Sequence, residues 1–167
     1  MANLTDKQII EYLHRSYGAL DGLWFMAAEQ RFDFETALVL DLEVWKVLPK
    51  IQARKLKQLL GAAGGLDDLC RCLSEKLRID GFDFSVEDSG DRRGFTLLIH
   101  RCPWYDLMVK SNRTALAGRV GQCICPAEYS AWAAEFGGNI TFRLAEPLCQ
   151  VAGPCRLRFE KDSGPTS

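Results

Sequence analysis

Cys102-Pro103 and Cys125-Pro126 share one local setting: each pair follows an extended-looking stretch and opens what reads as a helix. A sulfur at such a start lies at the positive end of the helix dipole, where a thiolate is favoured over a thiol. Cys155 opens the last apolar run, and Cys123 and Cys149 lie in the same part of the chain. Three thiolates from separate elements, with a fourth position open, suit zinc or iron, the softer ions. The expected ligands are therefore Cys102, Cys125 and Cys155, with Cys123, Cys149 and His100 in reserve. There is no CxxC…CxxC pair, so the pattern is not that of a zinc ribbon or finger. Cys-Pro is also an axial haem pattern, which adds a haem or tetrapyrrole reading. Incidental buried cysteines and a thiol nucleophile stay open beside these.

Acid–base candidates are few. Asp106 follows Cys102 by one helical turn, so the two share a face. Its carboxylate could orient a metal-bound water or serve as general base, against the plainer reading of a solvated first-turn aspartate. Asp21, Glu29, Asp41 and Glu43 are pocket candidates that read more simply as solvated positions. His14 sits on an amphipathic helix without an obvious partner. The chain has no P-loop, GxGxxG, HExxH, GxSxG elbow or deaminase zinc motif, which argues against nucleotide, hydride and ordinary protease chemistry.

The elements that must hold these residues fall into two halves. Thr5 and Gln8 form a capping box ahead of Ile9, Ile10 and Leu13, and a second helical stretch spans Tyr17 to Phe32. Asp33 reads as the cap of a long helix ending at Gly61, which Pro49 should kink or split. A helix from Leu66 to Leu77 carries Cys70 and Cys72, whose side chains point about 200° apart and cannot easily share one ion; Cys70 is expected in the core. The period then changes. Phe82, Phe84 and Val86 alternate with polar residues, SGDRRG supplies a turn, and Phe95 to His100 forms the return strand. A short helix starts at Pro103, a polar stretch leads through Gly118 and Gly121, and a second helix starts at Pro126. Strands at Ile140–Leu144 and Arg156–Phe159 follow, and the tail 162–167 reads as disordered. The order predicts an α+β domain: an N-terminal helical bundle (1–78) packed with a small antiparallel sheet of ββααββ order (79–161), in one unit over 1–161.

Composition bounds the function. The 167 residues suffice for a core without disulfides, and 47% hydrophobic with 26% charged is ordinary for a globular protein. A net charge of −1 and a pI near 6.1 lack the footprint of a nucleic-acid binder. The cluster Lys50, Arg54, Lys55 and Lys57 reads as a solvated helix face. The polar N-terminus does not read as a signal peptide, and no run is long and apolar enough for a membrane span, so a cytoplasmic location is expected. The expected partners are a small-molecule ligand and a second copy of the chain, with neither nucleic acid nor membrane.

The segments ITFRLAEPLCQVAGPCRLRFEK, RCPWYDLM and LWFMAAEQRFDFETALVLDLEVW together resemble the small proteins of anaerobic microbes named after L-2-amino-thiazoline-4-carboxylic acid hydrolase. The family's end-pattern of strand, glycine loop, cysteine and final strand is matched by Gly153, Cys155 and Phe159. Its earlier cysteines are matched by Cys102 and Cys125. A more distant likeness is to 4-vinyl reductase-like small-molecule-binding domains. The resemblance implies a pocket for a small organic ligand between sheet and helices, with a metal, and hydrolysis of a small sulfur- or nitrogen-containing ring as a related activity.

Overall fold

The computed structural model describes residues 3–90, 93–147, 149 and 153–162; of the tail expected to be disordered, 163–167 lie outside the described residues. The fold is α+β, with helices first and a four-stranded antiparallel sheet after them. The expected single unit divided at 78/79 instead separates into two compact units, Met1–Glu43 and Val44–Ser167. The last two helices of the first half belong with the sheet.

In the first unit, α1 (Asp6–Arg31) opens on the expected capping box, the Thr5 amide donating to Gln8 Oε1 at 2.9 Å and the Gln8 amide to Thr5 Oγ1 at 3.4 Å. The break expected before Tyr17 is absent, and α1 is one helix of 26 residues. Gly18 and Gly22 are the weak links there, and each glycine costs a helix only about 1 kcal/mol. Asp33 then accepts the Thr36 amide at 2.7 Å at the start of α2 (Phe34–Trp45), whose last two residues belong to the second unit, and Phe25 meets Phe34 edge-on at 5.8 Å.

In the second unit, α3 (Leu48–Leu60) carries Pro49 in its first turn, so proline splits the long helix as expected, and Gly61 ends it in the left-handed conformation. The following turn packs on the C-terminal end of a later helix: the Gly65 amide donates to the Phe136 carbonyl at 2.7 Å. A side chain at Gly64, with φ +137, would come within 3.0 Å of that oxygen. Asp68 braces the turn by accepting the Ala63 and Gly64 amides and Arg71 Nη2. The backbone bonds, first from Gly64, and the Arg71 guanidinium hold its carboxyl down at about 2. Because the folded pKa is depressed, this stabilisation is present above the unfolded value near 3.8 and is lost as pH falls towards 2. Asp68→Asn is therefore expected to lower the thermal midpoint at pH 6, the difference from wild type shrinking between pH 4 and 2, as calorimetry across that range would show.

Helix α4 (Leu66–Ile79) buries Leu66, Leu69, Cys72, Leu73 and Leu77. The core cysteine is Cys72, fully enclosed, whereas Cys70 is half-buried at the edge; Cys72 lies three residues after Leu69 and so falls on the same stripe. Strands β1 (Asp83–Asp88) and β2 (Gly94–Arg101) form the expected hairpin, with Phe84 opposite Ile99 and Val86 opposite Leu97. After α5 (Pro103–Lys110) comes α6 (Thr114–Phe136), then β3 (Ile140–Ala145) and β4 (Cys155–Lys161), in sheet order β1-β2-β4-β3.

Here the expected loop through Gly118 and Gly121 is already helix, and Pro126 lies inside α6 rather than at its start. An internal proline costs a helix about 3 kcal/mol. Burial of Tyr129, Trp132, Ala133 and Phe136 beyond it offsets that loss. The core joins α3, α4 and α6 to one sheet face, through Phe95, Leu97, Ile99, Leu157 and Phe159. Two of the four expected basic-face residues bind α3 to α6: Arg54 grips Glu135 through two hydrogen bonds, and Lys57 donates to the Glu135 carbonyl at 2.9 Å.

Candidate functional site

Strand parity and helix spacing decide which sulfurs meet. Cys155 is the first residue of β4 and pairs with Ile99, so both face the core side of the sheet. Cys102, three residues after Ile99, directly follows the end of β2 and caps α5 with extended backbone, Pro103 occupying the first turn. Trp104 steadies that helix, edge-on to Trp45 at 5.6 Å. Cys125 reaches the same end of the sheet from α6, and all three cysteines pack against one core. Cys149 joins them: a side chain at Gly121 would meet its sulfur at 3.0 Å and that of Cys125 at 4.0 Å. Gly121, one turn before Cys125, thus leaves the space that lets the Cys149 sulfur approach α6.

The expected low-pKa thiols are not found. Burial pushes the Cys125 thiol well up, and the Glu128 carboxylate and the sulfurs of Cys102, Cys155 and Cys149 push the same way. Cys125 lies mid-helix, so no helix N-terminus acts on it. Cys102 does sit at one, and the amides of Tyr105 and Trp104 favour its thiolate. Burial outweighs them and places it at about 11, with Cys155 and Glu128 adding to the rise. Desolvation also raises Cys149. These are neutral, shielded thiols, mutually close enough that ionising one opposes ionising the next. No disulfide joins the described cysteines.

Beside them lies a buried ion pair that the sequence reading did not anticipate. Lys76 of α4, 3% exposed, donates to Glu128 Oε1 of α6, itself 5% exposed. Lys76 Nζ also lies 3.1 Å from Asp80 Oδ2, and over the rings of Phe82 and Tyr129 at 5.5 and 5.7 Å. Burial alone would push the ammonium down, but Glu128 and Asp80 together reverse this and raise it. Tyr129 is pushed well up, by burial first and then by Glu128 and the sulfurs of Cys125, Cys102 and Cys155. The sequence did carry a signal: Lys76 lies three residues after Leu73 on the apolar stripe of α4, and Glu128 lies one turn before Trp132. Charges at core positions are rare unless paired.

Other expectations resolve by geometry. Cys123 is two residues from Cys125 on one helix, so the two point apart and Cys123 does not join the site. His100 follows Ile99 on β2 and therefore faces the opposite side of the sheet from Cys155, bonded to Ser85 Oγ at 3.0 Å. Asp106 Oδ2 accepts Arg101 Nε at 2.7 Å, an exposed pair beside Cys102 rather than a carboxylate directed into the core. Asp21, Glu29, Asp41 and Glu43 belong to α1 and α2, in the other unit, as does His14. Among the described residues, no three His, Cys, Asp or Glu side chains already stand in coordinating positions. A cleft of about 310 Å³ lies by Glu87, Ser89, Arg156 and Arg158, and another of about 240 Å³ by Leu66, Cys70 and Val86. Neither is lined by the clustered sulfurs.

No helix among the described residues is long and apolar enough to cross a membrane. Neither a curated protein nor a solved structure matches the chain. A family of unknown function does match, over residues 3–145, and so takes in Lys76, Cys102, Cys125 and Glu128 but stops short of Cys149 and Cys155. Since that match covers most of the 167 residues, the chain belongs to the family of unknown function DUF6125.

Proposed function

We propose that the protein is a cytosolic thiolate metal-binding protein whose zinc or iron is held by Cys102, Cys125 and Cys155, and that it binds or senses a small organic molecule there. The observation that carries this is the gathering of three sulfurs from β4, α6 and the start of α5 at one end of the sheet, each opposing the ionisation of its neighbours. A soft divalent ion removes that conflict, because it replaces the thiol protons and holds the thiolate charges together. Closing the ligand set requires the sulfurs to draw inward. Cys149 and Glu128 lie close enough to act on the Cys125 thiol, and an ion held by three thiolates would keep a fourth position for an exogenous ligand.

Metal content measured on protein purified without oxygen tests the reading. Close to one equivalent of zinc or iron is expected, falling to background in Cys102→Ser/Cys125→Ser/Cys155→Ser. Less than a tenth of an equivalent in the wild-type protein contradicts it, as does full retention in the triple variant. The absorption spectrum identifies the ion, since zinc is silent and iron bound to thiolate absorbs broadly in the visible.

A further inference from the structure

Only Ala28 is buried among the 26 residues of α1. Ile10, Leu13, Tyr17, Leu20, Trp24 and Ala27 recur at alternating intervals of three and four, and the five large ones are between 37% and 66% exposed. Such spacing keeps one apolar seam on a helix for about 26 Å, and that seam matches the facing seam of another helix. A helix gains most of its stability from burying its apolar face, and Ile10, Leu13, Leu20 and Trp24 leave most of this one open to a second helix.

The charges say which partner. A helix lying on a membrane surface carries a polar face rich in lysine and arginine. On α1, Lys7, Arg15 and Arg31 are set against Asp6, Glu11, Asp21 and Glu29, and Arg15 is turned towards Glu11. On one flank of the seam the positions at seven-residue intervals are Lys7, His14 and Asp21. That order is self-complementary when two such helices run antiparallel. With Ile10 against Leu20 and Leu13 against Tyr17 of the second copy, Lys7 comes beside Asp21 of that copy, twice per pair. We propose that α1 is a dimerisation element, pairing antiparallel with α1 of a second copy of this chain.

Sedimentation equilibrium of the full chain at micromolar concentration is expected to give twice the 18.8 kDa of one chain. Leu13→Glu/Leu20→Glu is expected to give one chain mass. A charge exchange tests the orientation without disturbing the seam. Lys7→Glu and Asp21→Lys should each weaken the dimer roughly tenfold at low salt, through two like-charge contacts, and their combination should restore it. Lys7 and Asp21 are about 21 Å apart along one helix, so the rescue cannot arise within a chain. A monomeric wild type overturns the proposal, whether or not it binds lipid vesicles. So does a dimer that survives Leu13→Glu/Leu20→Glu, and so does a charge exchange without rescue.

Discussion

Glu128→Ala is expected to lower the unfolding free energy by about 3–5 kcal/mol, a large part of the 5–15 kcal/mol that holds an ordinary domain together. The loss comes from what is left behind. Lys76 is 3% exposed and cannot reach water when its partner is removed, and Asp80 at 3.1 Å compensates only partly. Removing both charges is expected to behave differently: in Lys76→Met/Glu128→Leu, apolar side chains of similar size fill the space, and stability should return to within about 1 kcal/mol of wild type or exceed it. Urea unfolding of Lys76→Met, Glu128→Leu and the double variant closes the cycle. If Glu128→Ala costs less than about 1 kcal/mol, the pair is better solvated than its burial indicates. The pH dependence has a definite sign. The Lys76 pKa is raised above its unfolded value of 10.5, so its contribution is fully present below that value and is lost only as the pH rises through the folded pKa. The Lys76 part of the difference between wild type and the double variant should therefore stay flat through neutral pH and fall away in strong alkali.

The affinity of the cluster for zinc is expected to climb by up to about a thousandfold per pH unit between pH 6 and 8. Three thiols must each give up a proton to become ligands, so the logarithm of the affinity rises with a slope approaching three while all three remain protonated. Burial and the neighbouring charges hold Cys102 and Cys125 in that form. With Cys102 at about 11, roughly one molecule in ten thousand carries its thiolate at pH 7. Competition against a chromophoric chelator at several pH values measures the slope. Cys125→Ser should reduce it to about two and weaken binding roughly a hundredfold or more, one ligand's share of a structural zinc site. A slope near zero would mean that the sulfurs are not the ligands. The same burial makes Cys102 and Cys125 slow to alkylate in metal-free protein, so a thiol-reactive probe at neutral pH should mark Cys123 before either of them.

Much of the architecture follows from local chemistry. Thr5 with Gln8, Asp33 with Thr36, Pro49 and Gly61 are caps and stops whose effects reach only one turn, and each acts where its type predicts. The hairpin is equally local, because the alternation around Phe84 and Val86 and again around Leu97 and Ile99 favours the pairing that puts these four side chains on one face. Pro126 is the instructive exception. Its intrinsic preference is for a helix start, but the apolar residues on both sides of it belong to one buried stripe, and packing outweighed the cost of an interior proline. That single difference moves Cys123 onto a helix and away from Cys125, and it removes the helix terminus expected to acidify Cys125.

What the sequence determined by itself was the supply of groups: cysteines concentrated after Cys102, an α+β order, and three sulfurs on three separate elements. It also contained, unremarked, a lysine and a glutamate at core positions of α4 and α6. Whether those groups meet is a long-range matter, set by the β2–β4 register that places Cys155 opposite Ile99 and by the packing of α6 on that face. The tertiary structure alone decided the sign of the thiol chemistry. A helix dipole acts over one turn and favours the thiolate, whereas desolvation depends on everything packed around the sulfur and favours the thiol. At Cys102 both act, and burial wins.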